Sequence, residues 1–157
     1  MTRRRVAVTG LGLVSPYGGD PGDFFARLLA GESAIGFLRT DDIPRPLAMP
    51  FVSCAGFSAE AVLGRALAGT LDRFAQLGVA AAFAAWDDAG FPRKEEGPDR
   101  ESWGVAWGTA LGGTLAYEKG YRDLWQRGRE RLSPLSLIQG LNNAANAHIS
   151  IQLGLGG

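Results

Sequence analysis

The sequence contains few of the residues from which catalytic and metal sites are usually built. Among its 157 residues there is one cysteine, Cys54, and one histidine, His148. A single cysteine gives no disulfide framework, and a lone histidine does not assemble a usual zinc site. We therefore expect no disulfide, no metal site and a reducing compartment, most simply the cytoplasm.

The sequence also lacks an excess of charge and long apolar runs. The 16 Lys and Arg residues balance the 16 Asp and Glu residues, so the formal net charge is zero. A neutral chain gives no reason to expect nucleic acid as a partner. No stretch approaches about 18 consecutive apolar residues, so the sequence predicts no membrane-spanning helix and no membrane partner.

Glycine is the residue that the sequence has in excess. There are 23 glycines among the 157 residues, about twice the usual share of roughly 7%. They follow no repeat, so they indicate tight turns and close backbone contacts. The length and the 46% hydrophobic content predict one globular domain over residues 1–157.

Two short apolar segments are predicted to be buried β-strands. Residues 4–10 (RRVAVTG) and residues 103–109 (WGVAWGT) alternate little, as in strands that are covered on both faces. A sheet of these two strands alone would have both edges open, so the pattern predicts an unfinished sheet. Residues 36–58 contain three prolines and are predicted to be irregular.

Helices are predicted from capping residues and apolar periodicity. Residues 20–30 begin with the capping residue Asp20 and are followed by Gly31, a suitable C-terminal stop. Residues 72–89 are apolar on almost all sides, which predicts a buried helix that ends at Gly90. Further helices are predicted over residues 59–67, residues 114–126 and residues 133–153. This order of strands and helices predicts an α/β layered fold with parallel strands.

The motif Gly10-x-Gly12 follows the first predicted strand and allows two interpretations. Glycines at such a turn let a pyrophosphate approach the backbone, as in dinucleotide-binding domains. The third glycine of that fingerprint is missing, since Ser15 and Pro16 stand there. The sequence therefore favours a tight structural turn and leaves a nucleotide-binding oxidoreductase domain as the alternative.

Neither Cys54 nor His148 has the neighbours that a catalytic group needs. A reactive thiolate requires a base or a helix N-terminus close by. Residues 52–56 are small or apolar, and the histidine lies 94 positions further on. We interpret Cys54 as a structural thiol and His148 as a hydrogen-bonded residue of a helix.

Charged residues cluster in three places. The pairs Asp87-Asp88 and Glu95-Glu96 are predicted to be solvated, because adjacent side chains point apart and cannot share a proton. The third cluster is interleaved with acidic residues and is either a solvated face or a docking site for an acidic partner. It consists of Arg122, Arg127, Arg129 and Arg131.

Taken in order, several segments resemble the β-ketoacyl-acyl carrier protein synthase family of the thiolase superfamily, and its KAS II-like condensing enzymes in particular. The resemblance extends over essentially all 157 residues without large gaps. Each segment is weakly specific alone, but the ordered set is highly specific. The matching segments are residues 4–16 (RRVAVTGLGLVSP), 25–35 (FARLLAGESAI), 72–74 (DRF), 86–90 (WDDAG), 104–113 (GVAWGTALGG), 133–134 (SP), Asn143 and 154–157 (GLGG).

The resemblance implies the N-terminal portion of a thiolase-like α-β-α-β-α layered fold, incomplete in this chain. It implies decarboxylative condensation of an acyl thioester with malonyl-carrier protein, in fatty acid or polyketide synthesis, without a cofactor. The implied partners are an acyl carrier protein, acyl and malonyl thioesters, and a second condensing-enzyme chain in a homodimer or heterodimer. The family's catalytic cysteine and histidines match no residue here, since Cys54 and His148 occupy other places. We therefore expect no catalytic residue, and no activity from this segment alone.

The resemblance also assigns residues to the acyl pocket. Leu111 matches an apolar residue at the mouth of the acyl channel. Leu135 and Ser136 stand where many members have two phenylalanines that help to close the partner subunit's pocket, and the smaller Ser136 is expected to enlarge the channel's far end. The full set of expected acyl-pocket residues is Thr109, Leu111, Leu135, Ser136 and Leu137.

Docking of the acidic carrier protein is assigned to three arginines. The helix over residues 64–70 is basic in well-known members, but here only Arg65 remains of its basic side chains. Arg129 and Arg131 are expected to supply part of the missing attraction.

Two further interpretations stay open beside the oxidoreductase: a non-catalytic partner subunit of an active synthase, and an inactive truncated product of poor solubility.

Overall fold

The computed structural model describes residues 4–40, 47–93 and 100–156. The strands are β1 (Gly36–Thr40) and β2 (Leu47–Phe51), and two short turns, Arg100–Ser102 and Arg122–Gln126, are 3-10 and π helical. The α-helices are α1 (Pro21–Leu29), α2 (Ala59–Leu63), α3 (Arg65–Thr70), α4 (Arg73–Asp88), α5 (Thr114–Tyr121), α6 (Leu135–Gly140) and α7 (Ala144–Leu153).

Helix α1 confirms the helix predicted over residues 20–30. The Asp20 carboxylate accepts a hydrogen bond from the Asp23 amide at 2.6 Å and so caps the N-terminus. Gly31 follows the helix with a φ of 73°, a conformation that glycine adopts without strain. The apolar stripe of α1 stays exposed, since Phe25 and Leu29 keep 61% and 73% of their surface in solvent.

An antiparallel hairpin replaces part of the segment that was predicted to be irregular. Strands β1 and β2 pair from Gly36 opposite Phe51 onward, and Pro50 lies opposite Phe37. Both strands of a two-stranded ribbon are edge strands, where a residue without an N–H is tolerated. The prediction was therefore wrong for these residues, because proline does not exclude such a ribbon. Pro44 and Pro46 lie outside the described residues.

The two predicted buried strands are not strands in this structure. Residues 4–10 and 103–109 form neither a helix nor a ladder, and β1 with β2 is the sheet found among the described residues. Val6 and Val8 are 94% and 79% exposed. A strand is stabilised by the backbone of its neighbour, and a valine-rich sequence does not supply one. The predicted parallel pairing is accordingly absent from the described part of the chain.

Helix α4 confirms the buried helix predicted over residues 72–89. Asp72 caps its N-terminus, and Gly90 follows its end with a φ of 75°. Its apolar side chains pack against α7 and form the centre of the core with Leu71. The buried members of this core cluster are Leu71, Ala75, Val79, Phe83, Ala145, Ile149 and Leu153.

The remaining helices are close to their predicted places but are more divided. The helix predicted over residues 59–67 is split into α2 and α3 at Gly64, whose φ is 80°. Residues 114–126 form α5 and the π-helical turn, and residues 133–153 form α6 and α7. Within the described ranges, no helix combines the length and the hydropathy needed to span a bilayer.

Candidate functional site

The segment Gly10-x-Gly12 packs directly on α4. A Cβ at Gly10 would overlap the carbonyl oxygen of Ala85, and a Cβ at Gly12 would overlap that of Ala81. The Leu11 amide also donates a hydrogen bond to the Asp88 carboxylate at 2.8 Å. Helix α4 therefore fills the space beside these glycines, which gives them a structural role; the turn itself lies further along the chain, at Ser15–Gly18.

Cys54 belongs to a loop that is held by backbone and arginine contacts. It is half-buried, with its Sγ 4.0 Å from the Val14 carbonyl oxygen. Its own carbonyl accepts a hydrogen bond from the Arg73 guanidinium at 2.8 Å, and that guanidinium also lies over the Phe57 ring. None of these neighbours is a base, which agrees with a structural thiol.

His148 lies in a cleft of about 700 Å³ between α2, α3, α4 and α7. Arg65 and Arg93 line the same cleft, beside the ring of Phe83. Burial lowers the pKa of His148 below its usual value of 6.5, because the charged imidazolium is poorly solvated there. The position on a helix was predicted, and the cleft was not.

Small residues bring the turn before α5 against the end of α6. A Cβ at Gly113 would overlap the carbonyl of Gln139, and a Cβ at Gly112 would overlap the Asn142 side chain. The Gly113 amide donates a hydrogen bond to the Gly140 carbonyl at 3.3 Å. These contacts fix residues 109–113, which include two of the expected acyl-pocket residues, relative to α6, which carries the other three.

The carboxylate of Asp72 links the start of α5 to the start of the core helix α4 by hydrogen bonds. One carboxylate oxygen accepts a hydrogen bond from the Phe74 amide at 3.4 Å, and the other accepts one from the Ala116 amide at 2.7 Å. The side chain thus caps α4 and the first turn of α5 together. The sequence analysis predicted a helix from residue 72 but neither of these bonds, although Gly113, which cannot cap with a side chain, is a signal that α5 needs a partner from elsewhere.

The expected acyl-pocket residues differ in burial. Thr109 lines a cleft of about 560 Å³ on the α4 side, together with Gly12 and Trp107. Leu111 is 74% exposed on its turn, and Leu137 is 65% exposed on α6. Leu135 and Ser136 are half-buried at the start of α6.

The Ser136 hydroxyl is engaged in the helix start. It donates a hydrogen bond to the Ser133 carbonyl oxygen at 2.6 Å, and the Ser136 amide donates to the same oxygen at 3.0 Å. A serine with a satisfied hydroxyl presents a small surface to its surroundings. This is compatible with the expected enlargement of a channel, which the described residues alone do not enclose.

The expected docking arginines lie on two elements. Arg65 begins α3 and is exposed, while Arg129 and Arg131 lie in the loop after the π-helical turn. The Arg129 guanidinium is 3.5 Å from the carboxylate of Asp123, which is 6% exposed, and Arg127 is 2.8 Å from the same carboxylate. A buried acidic residue therefore orients two exposed arginines, which leaves the predicted basic cluster partly neutralised.

Just before these arginines in the chain, the rings of Tyr121 and Trp125 are stacked with their centroids 4.8 Å apart, and Trp125 is 77% exposed.

The predicted acidic pairs have different outcomes. Asp87 is exposed and forms an ion pair with Arg93, which lowers the pKa of Asp87 through the side-chain hydrogen bond. Asp88 is also exposed, and its carboxylate accepts the hydrogen bond from the Leu11 amide described above. Glu95 and Glu96 lie outside the described residues. Within the described ranges, no three potential metal ligands are grouped.

Curated proteins that are similar to the chain in sequence are acyl-carrier-protein synthases. The chain is 33% identical over 157 residues to "3-oxoacyl-[acyl-carrier-protein] synthase 2" of Vibrio cholerae and 30% identical over 156 residues to the chloroplastic "3-oxoacyl-[acyl-carrier-protein] synthase I" of Arabidopsis thaliana. These alignments cover 100% and 99% of the chain but 37% and 33% of the relatives. The chain therefore spans about a third of the length of the curated relatives that it matches.

Solved structures show the same fold. A β-ketoacyl synthase from Burkholderia phymatum superposes with a TM-score of 0.71 and 25% identity, over 99% of the chain and 38% of that structure. A type II polyketide ketosynthase in complex with its acyl-carrier protein superposes with a TM-score of 0.74, over 98% of the chain and 40% of that structure. At 20% identity this second likeness shows the fold alone. The thiolase-like α/β fold expected from the sequence is thereby confirmed, although its parallel strands are not paired here.

The family assignment follows from the extent of a further match. The model of the β-ketoacyl synthase N-terminal domain matches residues 3–157. This is nearly the whole chain, and it includes the glycines that pack on α4 and α6 and the carboxylate of Asp72, which accepts two backbone hydrogen bonds. The chain belongs to the β-ketoacyl synthase family and represents its N-terminal domain.

Proposed function

We propose that residues 1–157 form the N-terminal domain of a β-ketoacyl-acyl carrier protein synthase of fatty acid or polyketide synthesis. The observation that carries this proposal is the family match over residues 3–157. The proposed reaction moves an acyl group from a carrier protein to an enzyme nucleophile. A malonyl-carrier protein then loses carbon dioxide, and the resulting carbanion attacks the acyl thioester, giving a β-ketoacyl-carrier protein and the free nucleophile.

The part played by these residues is structural. Residues 109–113 and α6 contribute a wall of the acyl channel, with Thr109, Leu111 and Leu137 as candidates for direct contact with the acyl chain. No residue of the chain matches the family's nucleophile, and Cys54 has backbone and arginine neighbours rather than a base. The segment by itself is therefore proposed to be inactive.

Partner recognition relies on charge. Acyl carrier proteins are acidic, so exposed arginines attract them and speed their association. Arg65, Arg129 and Arg131 are the proposed contacts, and Asp123 holds Arg129 in place. We further propose a dimer with a second condensing-enzyme chain, in the cytoplasm.

The test is a condensation assay on the protein in its cellular form, recovered through an affinity tag before Met1. The assay measures β-ketoacyl-carrier protein and carbon dioxide from acyl- and malonyl-carrier proteins. We expect both products, and none from residues 1–157 expressed alone. Carbon dioxide and product that appear only after a second synthase subunit is added would instead identify a non-catalytic partner subunit. NAD(P) binding without condensation would overturn the proposal.

A charge variant tests the docking part of the same proposal. Arg131→Glu is expected to raise the KM for the acyl-carrier protein and to leave kcat unchanged, because a rim charge acts on encounter rather than chemistry. The matched control is Arg27→Glu on α1, where the native arginine pairs with Asp23 and Glu32. Equal KM values for the two variants would contradict docking at Arg131.

A further inference from the structure

Two carboxylates are buried among the described residues, and they are compensated in different ways. Asp123, 6% exposed, is paired with two arginines, whereas Asp72 is 7% exposed and accepts hydrogen bonds from two backbone amides. Each amide belongs to the first turn of a helix, where unpaired N–H groups and the helix dipole favour a negative charge. Asp72 is thus held by the N-termini of α4 and α5 together.

Helix α5 depends on this remote carboxylate for its cap. Its N-cap residue is Gly113, and no side chain of that residue caps the helix. Ala116 is the third residue of α5, the position whose amide an N-cap side chain normally binds. A serine or aspartate at position 113 could not replace Asp72, because its Cβ would overlap the Gln139 carbonyl. The cap therefore comes from 44 positions away.

The turn that carries Leu111 is held by two sets of contacts, both made by residues that follow Leu111. Gly112 and Gly113 lie against the end of α6. They lead directly into α5, which Asp72 holds through the Ala116 amide. Leu111 itself is 74% exposed, so packing of its own side chain does not set its position.

We propose that Asp72 is a positioning residue for acyl-chain selection, which acts by holding the turn with Leu111 at a fixed place relative to α6. The inference rests on the proposed function, because it takes Leu111 to lie at the mouth of the acyl channel. Asp72 touches no substrate. Loss of its bond to Ala116 lets the turn move, and the preference among acyl chains of different length changes while the reacting groups stay intact.

The variant that isolates this role is Asp72→Ser. Serine caps a helix about as well as aspartate, so α4 keeps its local cap. Its single, shorter-reaching oxygen does not serve the Ala116 amide as well. The matched control is Asp20→Ser, which makes the same change at the N-cap of α1, where the carboxylate binds the nearby Asp23 amide.

The main readout is the ratio of kcat/KM for long and short acyl-carrier proteins, measured on the protein in its cellular form. We expect Asp72→Ser to change this ratio by up to about fivefold, the limit that loss of a typical helix cap sets, and Asp20→Ser to leave it unchanged. Amide exchange followed by mass spectrometry is expected to quicken over residues 114–118 in Asp72→Ser alone. An equal loss of kcat/KM for acyl chains of all lengths would show that Asp72 only stabilises the protein, and would overturn the proposal.

A double variant shows whether the effect passes through Leu111. If it does, the double variant Asp72→Ser/Leu111→Ala has the same kcat/KM ratio for long and short acyl chains as Leu111→Ala alone. A change in this ratio equal to the sum of the two single changes would overturn the proposal. Where Asp72→Ser does not accumulate, Asp72→Thr takes its place, because threonine also caps a helix through a single short-reaching oxygen, and the same shift is expected. If the unmodified protein shows no condensation activity, the proposed function is overturned. If the unmodified protein is active but Asp72→Ser has the same kcat/KM ratio for long and short acyl chains, this inference alone is overturned.

Discussion

Residues 4–10 and helix α4 are both rich in small apolar residues, yet they differ in how much of that surface is buried. Val79 of α4 is fully buried, whereas Val6 is 94% exposed. Helix α4 makes its backbone hydrogen bonds internally and finds an apolar partner in α7. Residues 4–10 would need a neighbouring strand for both purposes, and no described residue provides one. Burial in this chain therefore follows the availability of a partner rather than the apolar content of a segment.

The largest expected effect comes from breaking the contact between α4 and Gly12, which follows residues 4–10 in the chain. Gly12→Ala would place a Cβ against the backbone of α4, which cannot move aside cheaply. We expect a loss of about 3 kcal/mol in the free energy of unfolding, measured by urea denaturation. Gly56→Ala is the matched control, because a Cβ there would meet nothing within 4 Å. Similar losses for the two variants would show that residues 10–12 do not rest on α4.

A smaller effect sharpens the comparison of the two valines. Val79→Ala removes fully buried methyl groups and leaves a cavity in the core cluster, so we expect a loss of about 2 kcal/mol in the free energy of unfolding. Val6→Ala is expected to change the unfolding free energy by less than about 0.5 kcal/mol, as at other exposed sites. Urea denaturation of both variants gives the numbers. A large loss for Val6→Ala would mean that residues 4–10 are covered in solution.

The smallest expected effect is a pH dependence of the free energy of unfolding, caused by His148 on α7. Burial lowers the pKa of His148 in the folded protein, so the unfolded chain binds its proton more readily. This protonation reduces the folded protein's stability as the pH falls below the usual value of 6.5, and has no effect well above it. His148→Gln is expected to flatten the unfolding free energy between about pH 7 and pH 5. An unchanged slope would assign the pH dependence to other groups.

The elements that the sequence predicted well carry their own signals. Asp20, Gly31, Asp72 and Gly90 mark the ends of α1 and α4 by local capping chemistry, which needs no knowledge of the rest of the fold. The family and its fold class were also predicted, because ordered motifs along the whole chain carry that information. The structural role of Gly10 and Gly12 was predicted as well, whereas the turn lies further along the chain, at Ser15–Gly18.

The features that the sequence did not predict depend on distant partners. Whether residues 4–10 and 103–109 pair is decided by which backbone lies beside them, and their composition does not contain that information. The bond from Asp72 to Ala116 joins positions 44 apart, and no spacing rule indicates it. The expected acyl-pocket residues stay predictions for a related reason, since exposed Leu111 and Leu137 acquire a role only from what faces them.

The remote cap also bears on the order in which the chain folds. Helix α4 has 16 residues and a local cap, so it can form from neighbouring residues. Helix α5 has eight residues and no local side-chain cap, which makes it marginal by itself. Its cap arrives only when two positions 44 apart have met, and closing such a loop costs entropy beforehand. Helix α5, and the turn that precedes it, are therefore expected to become ordered late, on a surface that α4 has already built.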